Sequence, residues 1–254
     1  MTRSRLIIAA AAVAVAVAVG GFVAYDQVLR GDSAAALTLP TASTASSVPA
    51  ASAPTGGSDA PAASTGTSAA SAGDVAGTWN VAADSVAGYR VREQLANLPA
   101  ESDAVGRTDK VTGSITIDTS GTATTLTEGS LSVDMTSLAS DKTMRDNRLR
   151  REGLETDAFP TATFKLTAPV EVPAAAVTGT PSDITLTGDL TIHGVTKSVQ
   201  IPAKAQIVDG TIQVAGSLGF PLSDYSIVAP NIGGLIVSIA DNGTLEFLVN
   251  FTKG

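Results

Sequence analysis

The chain has 254 residues, a formal net charge of −8, no cysteine and one histidine. No segment combines clustered Lys and Arg with interleaved aromatic residues, so the sequence excludes a nucleic-acid-binding surface. The lack of cysteine excludes disulfides, thiolate metal ligands and cysteine nucleophiles, and a single histidine excludes a metal site with two or more imidazoles.

An uninterrupted apolar segment, residues 6–25, follows two positive charges at Arg3 and Arg5. A helix of these 20 residues would be roughly 30 Å long, which matches the hydrocarbon core of a bilayer. Positive charge ahead of the segment predicts that residues 1–5 form a cytoplasmic tip and that the following residues lie outside the cytoplasm. The segment therefore predicts a single-pass anchor in the cell membrane.

A cleaved signal peptide is the alternative interpretation, because Ala34, Ala35 and Ala36 resemble a small-residue cleavage site. The apolar segment is longer than the roughly 7–15 residues typical of signal peptides, and the cleavage-like site lies beyond several charged residues. These two features favour the retained anchor. Cleavage would instead give a secreted protein without residues 1–36.

A linker, residues 26–76, separates the apolar segment from the rest of the chain. Ala, Ser, Thr, Pro and Gly make up almost all of it between residues 33 and 73. Such side chains bury too little apolar surface to offset the entropy cost of ordering the chain. We expect a disordered linker that holds the remaining domain, residues 77–254, away from the bilayer.

Alternating apolar and polar residues dominate residues 77–254, as in the segments 111–118 and 184–193. Turn signals, such as the Asp-Gly pair at 209–210, separate these segments. The charged segment 140–153 lacks the alternation and ends at a glycine, which predicts one short helix. We expect an all-β, antiparallel barrel, because closure removes the exposed edges of a sheet.

Side chains suited to acid–base or nucleophilic chemistry are scarce, so we expect a protein that is not an enzyme and has no metal or other cofactor. His193 lies at a strand end, where we interpret it as structural; a polar contact at the barrel mouth is the alternative. The arginines of the charged segment are typical of a solvated helix face. The alternative is that Arg145 or Arg148 binds a phosphate through its planar guanidinium.

Several short patterns occur along the domain in a distinctive order. They are Trp79-Asn-Val81, Arg145-Asp146, Phe159-Pro160 with Thr163-Phe164, Gly188-Asp-Leu-Thr-Ile-His-Gly-Val-Thr-Lys197, and Ser223-Asp-Tyr225. In this order they resemble the YceI-like family, and the resemblance extends over residues 77–254. Family members often carry histidines at the end of the first barrel strand and in the arginine-aspartate helix. This chain has neither, and Arg148 stands at the second position.

The resemblance implies a lipocalin-like, eight-stranded antiparallel barrel with a helix on one side and an apolar tunnel for an isoprenoid chain. It implies extracytoplasmic binding or transport of a polyprenyl phosphate or a quinone. The residues expected to contact the ligand are Tyr89, Val91, Phe164, Leu166, Phe220, Tyr225, Phe247, Arg145, Arg148 and His193. Two alternatives are a non-catalytic cell-envelope interaction module whose barrel is filled by its own side chains, and an enzyme built on a barrel.

Overall fold

The structure is a computed structural model, and it describes residues 33–40, 75–96, 101–229 and 236–254. The predicted anchor, residues 6–25, and most of the predicted linker lie outside the described residues. Within the described ranges, none of the helices has both the length and the apolar character needed to cross a membrane.

Eleven strands of the described chain form one antiparallel sheet, which confirms the all-β prediction. Their bounds are β1 Gly77–Val81, β2 Val86–Leu95, β3 Ser102–Thr108, β4 Val111–Asp118, β5 Thr125–Asp134, β6 Thr161–Leu166, β7 Val170–Glu171, β8 Ser182–Ile192, β9 Val195–Val208, β10 Thr211–Pro221 and β11 Ile236–Lys253. The period of two therefore identified the strands because each one has one face towards the interior and one towards the outside.

Eight of the strands close into a ring in the order β1, β4, β5, β6, β8, β9, β10 and β11. The ring closes because β1 pairs with β4 on one side and with β11 on the other, where Trp79 stands opposite Lys253. This ring is the predicted eight-stranded barrel. Closure leaves no open edge along it.

The remaining long strands, β2 and β3, lie outside this ring. Strand β2 pairs with β11, and β3 pairs with β2. The 18 residues of β11 are long enough to pair with β1 near its C-terminal end and with β2 over its earlier part. The edge of β3 is tied down by Arg107, whose backbone N–H and carbonyl bond to Ala139 at 2.9 and 3.0 Å. One half of the barrel therefore has a wall that includes β2 and β3.

The predicted short helix is present as α1, Thr143–Arg148, and continues as a single π-type turn, Leu149–Gly153. The buried carboxylate of Asp146 accepts hydrogen bonds from the backbone N–H and the hydroxyl of Ser140, and so fixes the loop that enters the helix. A second helix, α2, Ala174–Val177, was not predicted, because four residues are too few to show a helical period.

Two clusters of buried side chains fill parts of the interior. One surrounds Trp79, which is 3% exposed and donates a hydrogen bond from Nε1 to the Val75 carbonyl at 2.9 Å. The other includes Leu138, Leu154 and Tyr225. Because Trp79 lies on β1, the first cluster fills the half of the barrel that β1 closes.

Candidate functional site

An apolar cavity lies between the two clusters and takes wall residues from both of them. Its volume is about 190 Å³, counted as the space open to the centre of a water molecule. About 10–15 Å³ by this measure holds one water, so the cavity has space for on the order of ten. Strands β2 and β3 contribute wall residues, among them Val91 and Ala104, whereas Trp79 is not part of the wall.

Three aromatic side chains of the wall lie over glycines of neighbouring strands, where any larger residue would displace the ring. The pairs, with the distance from a Cβ built at the glycine to the nearest ring carbon, are Tyr89 over Gly106 (2.3 Å), Phe164 over Gly188 (2.5 Å) and Phe247 over Gly216 (2.7 Å). A real Cβ does not approach a ring this closely. The glycines therefore fix the positions of the aromatic rings that shape the cavity.

One part of the cavity wall is polar, where Glu93 of β2 forms an ion pair with Arg145 of α1. The Glu93 side chain is 3% exposed and that of Arg145 is 11% exposed, and Arg145 also pairs with Asp141. Burial opposes the charge of Arg145, but Glu93 and Asp141 together outweigh this effect and raise the pKa of the guanidinium above its ordinary value. The guanidinium therefore stays charged, and its contact with Glu93 holds α1 against the barrel.

The Tyr89 hydroxyl is buried in the cavity wall without a hydrogen-bond partner among the described residues. Burial raises the pKa of Tyr89 well above its ordinary value; Arg145 opposes the rise, while Asp146 and Glu93 add to it. The hydroxyl therefore keeps its proton and remains a donor. The Nε atom of Arg145 is a second buried donor without a partner within the described ranges. Both groups are hydrogen-bond donors, and both residues line the cavity.

Six of the ten residues expected to contact a ligand line this cavity, and four do not. The six are Tyr89, Val91, Arg145, Phe164, Phe220 and Phe247. The four are Arg148, Leu166, His193 and Tyr225. The aromatic residues among these six were expected from the barrel that the family resemblance implies, and they face inward on their strands.

Leu166 and Tyr225 are buried in the clusters of packed side chains and do not line the cavity. Leu166 belongs to the cluster around Trp79, in the filled half of the barrel. Tyr225 is 1% exposed and packs edge-on against Phe220, with ring centroids 5.2 Å apart. Tyr225 thus supports Phe220, which does line the cavity.

His193 and Arg148 also lie off the cavity. His193 stands in the turn between β8 and β9 with a φ of 51°, and its Nδ1 is 3.1 Å from the Tyr225 carbonyl oxygen. Its Nε2 is 2.9 Å from a carboxylate oxygen of Glu155, so the ring joins three separate segments. Arg148 is 42% exposed and pairs with Glu152, one turn further along. Arg148 is not among the described residues that line the cavity.

Glu93 lines the cavity and was not predicted from the sequence, although a signal was present. Tyr89, Val91 and Glu93 follow each other at a spacing of two, so Glu93 must share the inward face of β2. An inward carboxylate needs a cation, and the arginines of the charged segment were the candidates. Among the described residues, no group of three or more acidic or histidine side chains is arranged to hold a metal ion.

Comparison with known proteins agrees with the barrel and extends over most of the chain. The family model described as the YceI-like domain matches residues 79–251. A search of curated protein sequences found no match.

Two solved structures share the fold. A polyisoprenoid binding domain from Saccharophagus degradans implicated in plant cell wall breakdown is 22% identical, with a TM-score of 0.54, over 69% of this chain and 98% of that one. BcnA from Burkholderia cenocepacia is 21% identical, with a TM-score of 0.50, over 66% of this chain and 99% of that one. The matched family model and the shared barrel confirm the resemblance inferred from the sequence, and the chain belongs to the YceI-like family.

Proposed function

We propose that the barrel binds one isoprenoid-type lipid, with the hydrocarbon tail in the cavity and the head group beside Glu93 and Arg145. The observation that carries this proposal is a cavity whose wall is mainly apolar and includes the Glu93–Arg145 ion pair at the α1 contact. Each CH₂ group that leaves water for such a wall contributes about 0.8 kcal/mol. The polyisoprenoid binding domain of the same fold supports an isoprenoid as the tail.

The charges around the cavity favour a neutral head group over a phosphate. Arg145 is the cation of the wall, and Glu93 and Asp141 already pair with it. The carboxylate of Asp146, which is 6% exposed, adds further negative charge near Tyr89. Among the described wall residues there is no second cation for a buried phosphate, and burying a charge without a partner is costly. Of the two head groups inferred from the sequence, the geometry therefore favours a quinone.

A quinone carbonyl also satisfies donors that the protein leaves unpaired. The Tyr89 hydroxyl and Arg145 Nε are buried with no partner in the described part of the chain. A carbonyl oxygen accepts hydrogen bonds without bringing charge into the wall, so it relieves the cost of these two groups. The head group is then held by hydrogen bonds and the tail by apolar contact.

The proposed site lies outside the cytoplasm, in a protein that binds or carries a lipid. With the predicted anchor retained, the barrel lies outside the cytoplasm beside the membrane that holds its lipid, and it binds or transports that lipid without catalysis. Release from the membrane by cleavage would give a secreted carrier with the same site. The filled barrel of the interaction-module alternative would have no cavity, whereas the described interior contains one.

The test uses two ligands with the same short prenyl tail, one with a benzoquinone head and one with a monophosphate head. Each is titrated into the full chain in a mild detergent, and the dissociation constant and stoichiometry are measured. We expect one ligand per chain and at least tenfold tighter binding of the quinone. Binding of neither ligand would refute lipid binding, and tighter binding of the phosphate would refute the neutral head group.

A further inference from the structure

A segment of the linker, residues 33–40, lies across the outside of the barrel, and we call it the strap. Its first residue contacts Asp103 on β3 and its last contacts Gln206 on β9. In the sheet these two strands are separated by β10, β11 and β2. Four strand spacings amount to about 19 Å. Seven residue steps cover this distance only when the segment is close to fully extended.

The barrel holds the strap mainly through backbone atoms of the strap. The contacts are Ser33 Oγ with the backbone N–H (3.2 Å) and carbonyl (3.0 Å) of Asp103, the Ala34 carbonyl with Arg90 (2.6 Å), the Ala35 carbonyl with Arg107, and the Pro40 carbonyl with Gln206 (3.4 Å). Three barrel side chains thus donate to carbonyl oxygens. Leu39, which is 8% exposed, is the strap side chain buried most deeply.

The surface under the strap is buried although it faces outward. Glu246 is itself among the residues that line the cavity, but its carboxylate pairs with Arg107 and with Arg90, which lies between the inward-facing Tyr89 and Val91. The side chain of Glu246 therefore lies on the outer side of the wall. It is nevertheless 3% exposed, and the outward-facing Gln206 and Ala215 are 4% and 6% exposed. Outward residues of a barrel wall are buried only where something covers them. The strap lies over this part of the wall.

The barrel surface is suited to release the strap as well as to bind it. Glu246 pairs with Arg107 at 2.6 Å and with Arg90 at 3.6 Å, independently of the strap. When the strap leaves, water replaces its carbonyl oxygens and the three charges remain paired. No buried charge is left without a partner, so undocking does not carry the large cost of breaking a buried ion pair.

We propose that this outer surface is a docking site for the strap and that docking sets the working length of the linker. This rests on the retained anchor of the proposed function. With the strap docked, seven residues, 26–32, separate the anchor from the barrel surface, a reach of at most about 29 Å. Undocked, the 51 residues of the predicted linker, 26–76, allow a reach of at most about 180 Å.

Docking therefore keeps the barrel close to the bilayer, and undocking lets it range far from it. A carrier that takes a lipid from a membrane needs the first state for uptake and gains reach from the second. The same contacts require an uncut chain, because cleavage after Ala36 would remove Ser33, Ala34 and Ala35 from their partners.

The docking step is tested with spin labels, since the chain has no cysteine of its own. Thr38→Cys on the strap and Ser217→Cys on β10 place labels at exposed positions in the full chain in detergent. We expect one narrow distance distribution. Leu39→Ser should raise the broad, undocked fraction about tenfold because it removes a buried leucine, whereas Ala36→Ser at an exposed strap position should not. A broad distribution in the parent chain, or no response to Leu39→Ser, would overturn docking.

The linker length is tested in phosphatidylcholine vesicles. A donor dye at Ser217→Cys and acceptor-labelled lipids report the distance of the barrel from the bilayer in the full chain. We expect strong energy transfer in the parent and Ala36→Ser chains and a clear loss in Leu39→Ser. Equal transfer in all three would overturn the length effect. A chain that does not enter vesicles would overturn the anchor, while the spin-label distances still decide whether the strap docks.

Discussion

Replacing Tyr89 with phenylalanine separates the stability of the barrel from its function. The hydroxyl is buried in the cavity wall and has no hydrogen-bond partner in the described chain. A buried polar group without a partner costs about 1–3 kcal/mol, so its removal should stabilise the ligand-free protein. Tyr89→Phe keeps the ring over Gly106 and therefore leaves the shape of the cavity unchanged.

We expect Tyr89→Phe to raise the free energy of unfolding of the ligand-free chain by about 1 kcal/mol. For a domain of this size the melting temperature should rise by about 2–4 °C. Binding of the prenyl quinone should weaken by about 1 kcal/mol, or roughly fivefold, because the head group loses one hydrogen bond. Stability and affinity therefore change in opposite directions.

Tyr225→Phe is the matched control for this experiment. The Tyr225 hydroxyl is also buried without a partner among the described residues, and Tyr225 does not line the cavity. Tyr225→Phe should stabilise the ligand-free chain in the same way and leave the dissociation constant unchanged. Urea unfolding of delipidated protein and ligand titration give the two readouts. A Tyr89→Phe chain that is less stable, or that binds quinone as tightly as the parent, would refute the reasoning.

Three further substitutions test the cavity, its charge and the loops around it. Ala162→Leu puts three extra carbon atoms into the cavity and should weaken ligand binding by about 2 kcal/mol. Ala175→Leu, on the exposed side of α2, should leave ligand binding unchanged. Equal affinities of the two variants in a titration would contradict this prediction. Glu93→Gln removes a negative charge beside Arg145, so the ratio of quinone affinity to phosphate affinity should fall at least tenfold. An unchanged ratio would show that charge does not determine the preferred head group. Hydrogen bonds from the hydroxyl and backbone N–H of Thr136 hold the pKa of Asp134 below its ordinary value, so this contribution to stability is present above about pH 4 and is lost as the pH falls through the lowered value. Urea midpoints measured between pH 7 and pH 2 should therefore fall less in Asp134→Asn than in the parent, and parallel curves would show that these hydrogen bonds contribute nothing.

Alternation predicted strands because it is a local property of each strand, while the closed eight-stranded barrel was expected from the need to protect sheet edges and from the family resemblance. The sequence did not predict that β11 pairs with both β2 and β1, nor the register shifts between Ile236 and Ser238 and between Ile239 and Gly243 within its pairing with β2. Such shifts depend on the partner strands rather than on the sequence of one strand. The part of the wall that β2 and β3 form could therefore be identified only from the structure.

The sequence predicted the aromatic residues of the candidate site and Arg145, but not Glu93. Phe164 and Phe247 face inward by alternation, but their rings are set by glycines on other strands. The choice between Arg145 and Arg148 depends on how α1 is turned against β2, which is a tertiary property.

The strap shows that the composition of a segment does not by itself determine whether the segment is ordered. Residues 33–40 cannot form a core of their own, which is why the sequence predicts a disordered linker. They nevertheless contact the barrel, because their carbonyl oxygens meet donors that the barrel supplies. Ordering by a surface that lies far away in the sequence leaves no mark in the composition of the segment itself.

The central claim, that the cavity holds one isoprenoid-type lipid with a neutral head group, is tested most directly by native mass spectrometry. The full chain and its Ala162→Leu variant are each exposed to an equimolar mixture of the prenyl quinone and the prenyl phosphate with the same tail. The parent chain should gain the mass of one quinone, and the variant should gain little or none. Uptake of the phosphate by the parent chain, or equal uptake of quinone by both chains, would contradict the claim.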